Sequence, residues 1–209
     1  TVSTGAGADT IVAGTGNDSI DAGDDADTVT LTAGVNTLDA GAGADTITLG
    51  TGTDSVLSGA GADLIQAGAN LTVADTITGG TEADKLTVSN DTAVTDLDNV
   101  TQVETIELLD GNSFAYTISN NSAFDADTTG VTIDGDALTG TNTLAFSATN
   151  LDRAITILGG AGADTITDGA GADSIVTNGG ADTVTLSGNG NNTVSTGAGA
   201  DTIVAGTGN

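Results

Sequence analysis

The sequence predicts an all-β fold, a right-handed parallel β-solenoid with a wider β-helical segment in its middle. A nine-residue line recurs in register from Thr4 to Thr87, with glycine in its second and usually its fourth place, Asp or Asn in its sixth and an aliphatic residue in its eighth. The same line returns from Gly159 to the end of the chain. Repeats of this kind are typical of solenoids, in which each repeat packs on its neighbours.

Each repeat predicts one short strand. The aliphatic residue in the eighth place is flanked mostly by Thr, Ser or Asp, so a three-residue strand buries its middle side chain and exposes both neighbours. Thr, Val and Ile also suit a pleated surface. In the first block the aliphatic residues are Ile11, Ile20, Val29, Leu38, Ile47, Val56, Ile65, Ile77 and Leu86.

The Gly-rich part of each repeat predicts the turn between strands, because glycine adopts positive φ angles at little cost. Two nine-residue repeats, read as strand, turn, strand and turn, then form one coil of the solenoid. Successive coils stack about 4.8 Å apart. The result is two parallel sheets over a thin aliphatic core.

The middle of the chain, 88–158, lacks the regular glycines but keeps strand signals. Apolar pairs recur between polar turns, which fits wider solenoid coils; a separate small β-sandwich is the alternative that this spacing also allows. All three Phe residues and the single Tyr lie here, so we expect the thickest core in this segment. The pairs are Ile106/Leu108, Tyr116/Ile118, Val131/Ile133, Leu144/Phe146 and Ile155/Ile157.

The repeats divide the chain into three segments. Residues 1–87 and 159–209 carry the nine-residue line, and 88–158 form the wider segment between them. The last part of the chain, 193–209, repeats 1–17 letter for letter. We therefore expect a tandem array in which one unit spans 1–192 and the next begins at Thr193. In such an array neighbouring repeats of the same chain, or end-to-end copies, pack on one another.

The charge excludes several classes of partner. The chain has 29 acidic residues against two cations, Lys85 and Arg153, a formal charge of -27. Nucleic acid is excluded because phosphate contacts need many Lys and Arg side chains. Anionic membrane surfaces are disfavoured, and no apolar run reaches the ~18 residues of a membrane span. The expected counter-ion is a hard cation, calcium above all.

The sixth-place aspartates predict where such a cation binds. With two repeats per coil, alternate aspartates fall on the same edge of the solenoid. We expect Asp9, Asp27, Asp45, Asp63 and Asp84 to continue on one edge as Asp164, Asp182 and Asp201, and Asp18, Asn36, Asp54 and Asp75 to continue on the other as Asp173 and Asn192. Carboxylates about 5 Å apart repel by ~1 kcal/mol per pair in water and ~3 kcal/mol at an effective dielectric near 20, so each gap needs a cation.

The repeated line, xGxGxDxUx with U aliphatic, resembles the nonapeptide of the RTX (repeats-in-toxin) family. Residues 97–108 also resemble segments between RTX blocks in large bacterial surface proteins. The resemblance implies a parallel β-roll with several calcium ions between the turns, held by turn carbonyls and the sixth-place side chains. It implies calcium ligands at Asp9, Asp18, Asp27, Asp45, Asp54, Asp63, Asp75, Asp84, Asp164, Asp173, Asp182 and Asp201, with weaker sites beside Asn36 and Asn192.

Some repeats depart from the pattern. Asp25 and Glu82 stand where the fourth-place glycine is expected, and Thr32 and Asn178 replace the second-place glycine. Asp25 either adds a ligand or faces solvent. The unit that opens at Ala67 is longer than the others, which leaves the register of Asp75 open.

Three acidic pairs in the middle segment are interpreted as solvated turns, with an additional bound ion as the alternative. They are Asp96/Asp98, Asp125/Asp127 and Asp134/Asp136. Asp110 and Asp152 are explained as ordinary turn residues.

These features predict a calcium-rigidified structural rod, a repeat module of a long secreted bacterial protein such as a fibre, adhesin stalk, matrix or surface layer. It would fold on calcium outside the cell, and lateral self-assembly of rods is a further expectation. The alternative is a ligand-binding face, for ice or glycan, since Thr pairs flank the buried residue in Thr28–Thr30, Thr46–Thr48, Thr165–Thr167 and Thr183–Thr185, which we expect on one sheet. An enzyme is not predicted, because the chain has no His or Cys from which to assemble a nucleophile and its base.

Overall fold

The computed structural model describes residues 1–90, 96–120, 122–127 and 129–206, with only the backbone of Asp125. The side chain of Asp125, in the second acidic pair, and the end of the repeated stretch therefore lie outside what is described. The described residues form three parallel sheets and one short helix. None of the described helical residues makes a helix long and apolar enough to cross a membrane.

One sheet of ten strands runs through the first block, the middle segment and the last block. Its strands, in spatial order, are β2 (Thr10–Val12), β4 (Thr28–Thr30), β6 (Thr46–Thr48), β8 (Leu64–Gly68), β10 (Lys85–Val88), β12 (Thr105–Leu108), β14 (Val131–Asp134), β16 (Ile155–Leu158), β18 (Ser174–Val176) and β20 (Thr193–Ser195).

Two shorter sheets supply the other strand of each coil. The six-stranded sheet contains β1 (Val2–Ala6), β3 (Ser19–Asp24), β5 (Ala33–Ala42), β7 (Thr51–Ala60), β9 (Thr76–Thr81) and β11 (Val100–Thr101). The five-stranded sheet contains β13 (Phe114–Thr117), β15 (Leu144–Ser147), β17 (Thr165–Thr167), β19 (Thr183–Thr185) and β21 (Thr202–Val204). Helix α1 (Ala123–Ala126) contacts β11, at the end of the six-stranded sheet.

The pairing confirms the predicted parallel β-solenoid. Every strand pairing in the described part of the chain is parallel. In the first block Val29 pairs with Ile47, so one regular coil is two nine-residue repeats long. The middle segment is part of the same ten-stranded sheet, which excludes the alternative of a separate small β-sandwich among the described residues.

The core is the predicted column of aliphatic side chains. All nine eighth-place aliphatic residues of the first block are at most 6% exposed. The apolar pairs of the middle segment are buried as well, and the core widens there because Phe114, Tyr116, Phe124 and Phe146 are all buried. The rings of Phe114 and Tyr116 stack with their centroids 6.0 Å apart.

The middle segment has longer coils, as predicted. Lys85 pairs with Thr105, Thr105 with Thr132, and Val131 with Ile155. Each of these steps along the chain is longer than two nine-residue repeats, and the steps differ from one another. The phase of the repeats therefore shifts between the two blocks.

This shift makes one of our predictions wrong. The strand after Asp173 and the strand after Asn192 belong to the ten-stranded sheet, together with the strands after Asp9, Asp27, Asp45, Asp63 and Asp84. Asp164, Asp182 and Asp201 instead precede strands of the five-stranded sheet. The continuation of the two edges across the middle segment was thus assigned the wrong way round, because counting by nines fails where coil length changes.

The threonine pairs are divided for the same reason. Strands β4 and β6 carry theirs on the ten-stranded sheet, whereas β17 and β19 carry theirs on the five-stranded sheet. The prediction that all four pairs share one sheet is wrong.

Candidate metal centres

The sixth-place residues form ladders along the turns of the solenoid. The first-edge ladder is defined by the residues that precede strands of the ten-stranded sheet: Asp9, Asp27, Asp45, Asp63, Asp84, Asp173 and Asn192. The second-edge ladder runs along the two shorter sheets. Its members Asp18, Asp75, Asp164, Asp182 and Asp201 directly precede strands, whereas Asn36 lies within β5 and Asp54 within β7. Twelve of the fourteen predicted site residues therefore directly precede a strand, and the other two, Asn36 and Asp54, take part in the same coil-to-coil hydrogen bonds from within strands.

One oxygen of most ladder carboxylates is bound by the preceding coil. The backbone N–H of Asp9 donates to Oδ1 of Asp27 at 2.7 Å, and that of Asp27 donates to Oδ1 of Asp45 at 2.7 Å. The bond recurs from Asp45 to Asp63 and from Asp63 to Asp84, at 2.8 and 2.9 Å. On the second edge Asp164 donates in the same way to Asp182, at 2.8 Å. These bonds fix the position of each carboxylate between two coils.

The other oxygen of most ladder carboxylates has no protein partner. Oδ2 is buried and accepts no hydrogen bond in Asp9, Asp18, Asp27, Asp45, Asp54, Asp63, Asp84 and Asp173. Buried polar atoms are almost always paired, and an unpaired buried carboxylate costs several kcal/mol. A cation bound at these oxygens is the simplest way to remove that cost.

Burial also changes the acidity of the ladders. Burial raises the pKa of Asp45, Asp84 and Asp164 from 3.8 to about 6. For Asp45 the neighbouring carboxylates of Asp63 and Asp27 raise the pKa further. Burial likewise raises the pKa of Asp54, Asp63 and Asp173. A raised carboxyl pKa means that the ionised ladder is disfavoured without a counter-ion.

Neither basic side chain of the protein supplies that counter-ion. The Lys85 ammonium pairs with Glu107 at 3.2 Å on the surface of the ten-stranded sheet. The Arg153 guanidinium pairs with Asp127 at 3.5 Å in the middle segment. The positive charge for the ladders must therefore come from outside the polypeptide.

The turns bring the backbones of successive coils close together. Gly41 has φ +101°, and a Cβ atom at this position would lie 2.0 Å from the carbonyl oxygen of Gly23, so only glycine permits the stacking. Among the described residues no group of three or more acidic side chains is arranged to hold a metal ion. Calcium binds 6–8 oxygens and accepts backbone carbonyls among them, so the ladders fit calcium when carboxylates and turn carbonyls act together.

Both asparagines of the ladders use their amide groups as internal cross-links. Asn36 Nδ2 donates to Oδ1 of Asp54 at 2.8 Å, and Asn192 Nδ2 donates to Oδ2 of Asp168 at 2.6 Å. Their Oδ1 atoms accept the N–H groups of Asp18 and Asp173, so the ladder register is kept. A hydrogen-bond donor thus contacts a carboxylate at each of these steps.

Asp75 keeps its place in the ladder despite the longer unit before it. The backbone N–H of Asp54 donates to Asp75 Oδ1 at 2.7 Å. However, Asp75 Oδ2 accepts hydrogen bonds from the N–H and the hydroxyl of Thr72, at 2.7 and 3.0 Å. The insertion therefore occupies the oxygen that is unpartnered in most of the ladder.

Residues that replace turn glycines act as caps. Asp25 and Glu82 adopt positive φ angles of 76° and 75°, and their carboxylates accept the N–H groups of Gly7 and Gly61 in the preceding coil. Asn178 also has positive φ and donates to the carbonyl of Gly159. Thr32 donates through its hydroxyl to the carbonyl oxygens of Ala13 and Gly14. These side chains tie adjacent coils together.

The acidic pairs of the middle segment are only partly solvated. Asp96 and Asp98 are 4% and 8% exposed, so the interpretation of this pair as a solvated turn is wrong. Asp98 Oδ1 accepts the N–H of Ser119, which explains its burial. The Asp127 carboxylate accepts hydrogen bonds from the backbone N–H groups of Gln102 and Thr129, and it forms an ion pair with Arg153. Asp136 is exposed, in agreement with the prediction.

Two acidic neighbours of the ladders were not among the predicted site residues. Glu104 accepts the N–H of Asp84 at 2.7 Å, as the next aspartate of a ladder would. Asp168 is fully buried, and its carboxylate accepts hydrogen bonds from the backbone N–H of Ser187 and from the side-chain amide of Asn192. A signal for Glu104 was present, because Glu104-Thr105-Ile106 matches the Asp-Thr-Ile line of the repeats in all but its acidic residue.

Stacked parallel coils, Gly-rich turns and buried unpartnered carboxylate oxygens define a class of protein, the β-solenoids built from calcium-binding repeats. The family model of the RTX calcium-binding nonapeptide repeat matches the chain in four copies, over residues 3–38, 30–65, 156–185 and 186–209, which together cover more than half of it. The chain belongs to the RTX family, whose nonapeptide repeats bind calcium. Neither curated proteins nor solved structures gave a significant match.

Proposed function

We propose that the protein is a calcium-dependent structural rod module of a long secreted bacterial tandem-repeat protein, and that it folds when it binds calcium outside the cell. The observation that supports this most strongly is the set of buried carboxylate oxygens without a protein partner. The proposed ligands are the fourteen ladder residues together with turn carbonyls. Bound calcium supplies the positive charge that offsets repulsion along the ladders.

The proposal that the chain folds outside the cell follows from where calcium is available. Extracellular calcium modules bind in the range of about 10⁻⁴–10⁻³ M, far above cytosolic calcium. Ligand binding that is restricted to the folded state adds directly to its stability. A chain with this many ionised ladders would therefore remain unfolded in the cell and fold after export. RTX repeat proteins are typically secreted, which agrees with this proposal.

The continuity of the ten-stranded sheet supports a mechanical role. The sheet passes through all three proposed segments, 1–87, 88–158 and 159–209, so force along the solenoid axis is carried by stacked coils. We further propose that copies of the repeat stack end to end in a fibre, adhesin stalk, matrix or surface layer, with lateral assembly of rods as a second level. The proposal assigns no catalytic activity, in keeping with RTX β-rolls, which are usually non-enzymatic.

The division of the threonine pairs weighs against the alternative of an ice- or glycan-binding face. Leu64, Gln66 and Lys85 interrupt the regular array on the ten-stranded sheet. The described aromatic side chains are buried, which leaves no exposed platform for stacking sugars.

A calcium titration followed by far-ultraviolet circular dichroism tests the proposed function. In excess chelator we expect a disordered spectrum, and on calcium addition a cooperative rise in β-structure. Magnesium at the same concentration is the control, because it demands octahedral geometry and gives up its water reluctantly. A β-structure content that is equal in chelator and in calcium would refute the proposal.

A further inference from the structure

We propose an additional calcium site where the first RTX block meets the middle segment, held by the carboxylates of Asp84 and Glu104 and the backbone carbonyl of Gln102. This inference rests on the proposed binding of calcium by the ladders. It adds a ligand, Glu104, that the nonapeptide pattern does not specify. The site would join the middle segment to the calcium-dependent part of the solenoid.

Glu104 occupies the next position of the first-edge ladder. Lys85 pairs with Thr105 in the ten-stranded sheet, which places Asp84 and Glu104 in register one coil apart. The N–H of Asp84 donates to Glu104 Oε2 at 2.7 Å, the bond that ladder aspartates make with one another. The backbone continues the pattern, since the N–H of Thr105 donates to the carbonyl of Asp84 at 3.1 Å. Glu104 is therefore a carboxylate in ladder geometry.

The space between these coils presents an unpartnered oxygen. Asp84 is 1% exposed; its Oδ1 accepts the N–H of Asp63, while its Oδ2 is buried without a partner. A Cβ atom built on Gly79 would lie 2.6 Å from Asp84 Oδ2 and 1.9 Å from the carbonyl oxygen of Gln102. Both oxygens therefore lie close together beside Gly79, and any side chain at this position would clash with them.

The local charge favours a cation in this space. The negative charges of Asp63, Glu104 and Glu82 all act on the buried carboxylate of Asp84. Lys85, the basic residue nearest in sequence, pairs with Glu107 and is 45% exposed through its side chain. Two carboxylates and a carbonyl are hard oxygen ligands of the kind that calcium takes.

The start of the second block provides a contrast. In the ladder register the residue one coil before Asp164 is Leu144, and the residue one coil before Asp173 is Ile155. These positions are apolar and buried, so no second carboxylate faces the last block there. After Glu104, the register position is likewise taken by a buried apolar residue, Val131. Glu104 therefore ends the acidic ladder of the first block, one coil beyond its last repeat.

Counting bound calcium by native mass spectrometry tests the site. Glu104→Gln keeps the size of the side chain and an oxygen for the Asp84 N–H but removes the charge. Glu107→Gln is the matched control, because it removes the same charge close by, where the side chain pairs with Lys85 on the sheet surface. We expect Glu104→Gln to bind one calcium ion fewer than the wild-type protein, and Glu107→Gln to bind the wild-type number. Glu104→Asp, which keeps the charge, should restore the count.

The outcomes separate this inference from the proposed function. If the wild-type protein binds no calcium, the proposed function fails. If the wild-type protein binds calcium and both glutamine variants bind as many calcium ions as the wild type, only the additional site fails. Should Glu104→Gln not fold, an anomalous difference map from calcium-grown wild-type crystals decides the question: density between Asp84 and Glu104 supports the site, and its absence overturns it.

Discussion

Most ladder aspartates divide their carboxylate between two tasks. Oδ1 accepts an N–H from the preceding coil, which fixes the register, and Oδ2 stays buried without a protein partner. Asparagine performs the first task equally well, as Asn36 does when it accepts the N–H of Asp18. Only a carboxylate contributes charge for the second task. If the ladders bind calcium as we propose, the identity of the sixth residue sets how strongly a step depends on the ion.

Asn36→Asp tests this division at one step. The change replaces the amide that donates to Asp54 by a carboxylate, so the step gains a negative charge and loses a hydrogen bond. We expect the folding midpoint in a calcium titration to move to a lower calcium concentration by about 2- to 10-fold, or ~0.4–1.4 kcal/mol. Asn120→Asp, on an exposed residue of the middle segment, is the control and should leave the midpoint close to that of the wild type. A midpoint at or above the wild-type value for Asn36→Asp would contradict this interpretation.

At the scale of elements, the end of the six-stranded sheet is covered by a short helix. Helix α1 contacts the last strand of that sheet, β11, and the N–H of Phe124 donates to the carbonyl of Asp98. Arg153 lies over the Phe124 ring, 4.6 Å from its centroid, and donates through Nη1 to the carbonyl of Asp127 at 2.6 Å. A covered sheet edge is protected from unwanted pairing. Packing and a largely buried ion pair therefore hold this end of the six-stranded sheet.

The two basic residues provide a matched comparison. Arg153→Ala removes the cation–π contact, the bond to Asp127 and their packing, and should lower the free energy of unfolding by about 1–3 kcal/mol in saturating calcium. Lys85→Ala removes a partly exposed surface ion pair with Glu107 and should change the free energy of unfolding by less than about 1 kcal/mol. Urea denaturation of both variants measures the difference. Equal losses for the two variants would show that Arg153 does not hold this part of the fold.

For the whole molecule, the ladders link stability to pH as well as to calcium. The folded-state pKa of Asp45, Asp84 and Asp164 lies at about 6, above the ordinary value of 3.8. Between these values the folded chain binds more protons than the unfolded chain, so folding becomes more favourable as the pH falls. This contribution is complete below about 3.8 and is lost as the pH rises through 6.

Acid should therefore replace calcium in part. In excess chelator we expect the circular-dichroism signal of β-structure to increase as the pH is lowered from about 7.5 to about 4.5, with most of the change near pH 6. With saturating calcium the signal should vary little above pH 6, because the ladders are already neutralised. A chelated protein whose β-structure decreases on acidification would contradict the assignment of raised pKa values to the ladders.

The sequence allowed the solenoid, the buried column and the fourteen ladder positions to be predicted because the nine-residue period repeats almost without change within each block. Residues such as Ile47 and Asp45 are placed by counting alone. The connection between blocks could not be counted, since the longer and unequal coils between Lys85 and Ile155 break the period. Glu104 and Asp168 were not predicted as part of the ladders because they stand outside the sixth place of a repeat. The burial of Asp96 and Asp98 could not be predicted either, since it depends on packing between distant turns.

The dependence of stability on free calcium tests the central claim most directly. Each ion that binds only the folded chain adds about 1.4 kcal/mol of unfolding free energy for every tenfold rise in calcium above its dissociation constant. Urea denaturation across a series of calcium concentrations gives the unfolding free energy at each one. Plotted against the logarithm of free calcium, it should rise with a slope of several times that value, because many unpartnered carboxylate oxygens take up ions together. An unfolding free energy that is the same in chelator and in saturating calcium would contradict the account.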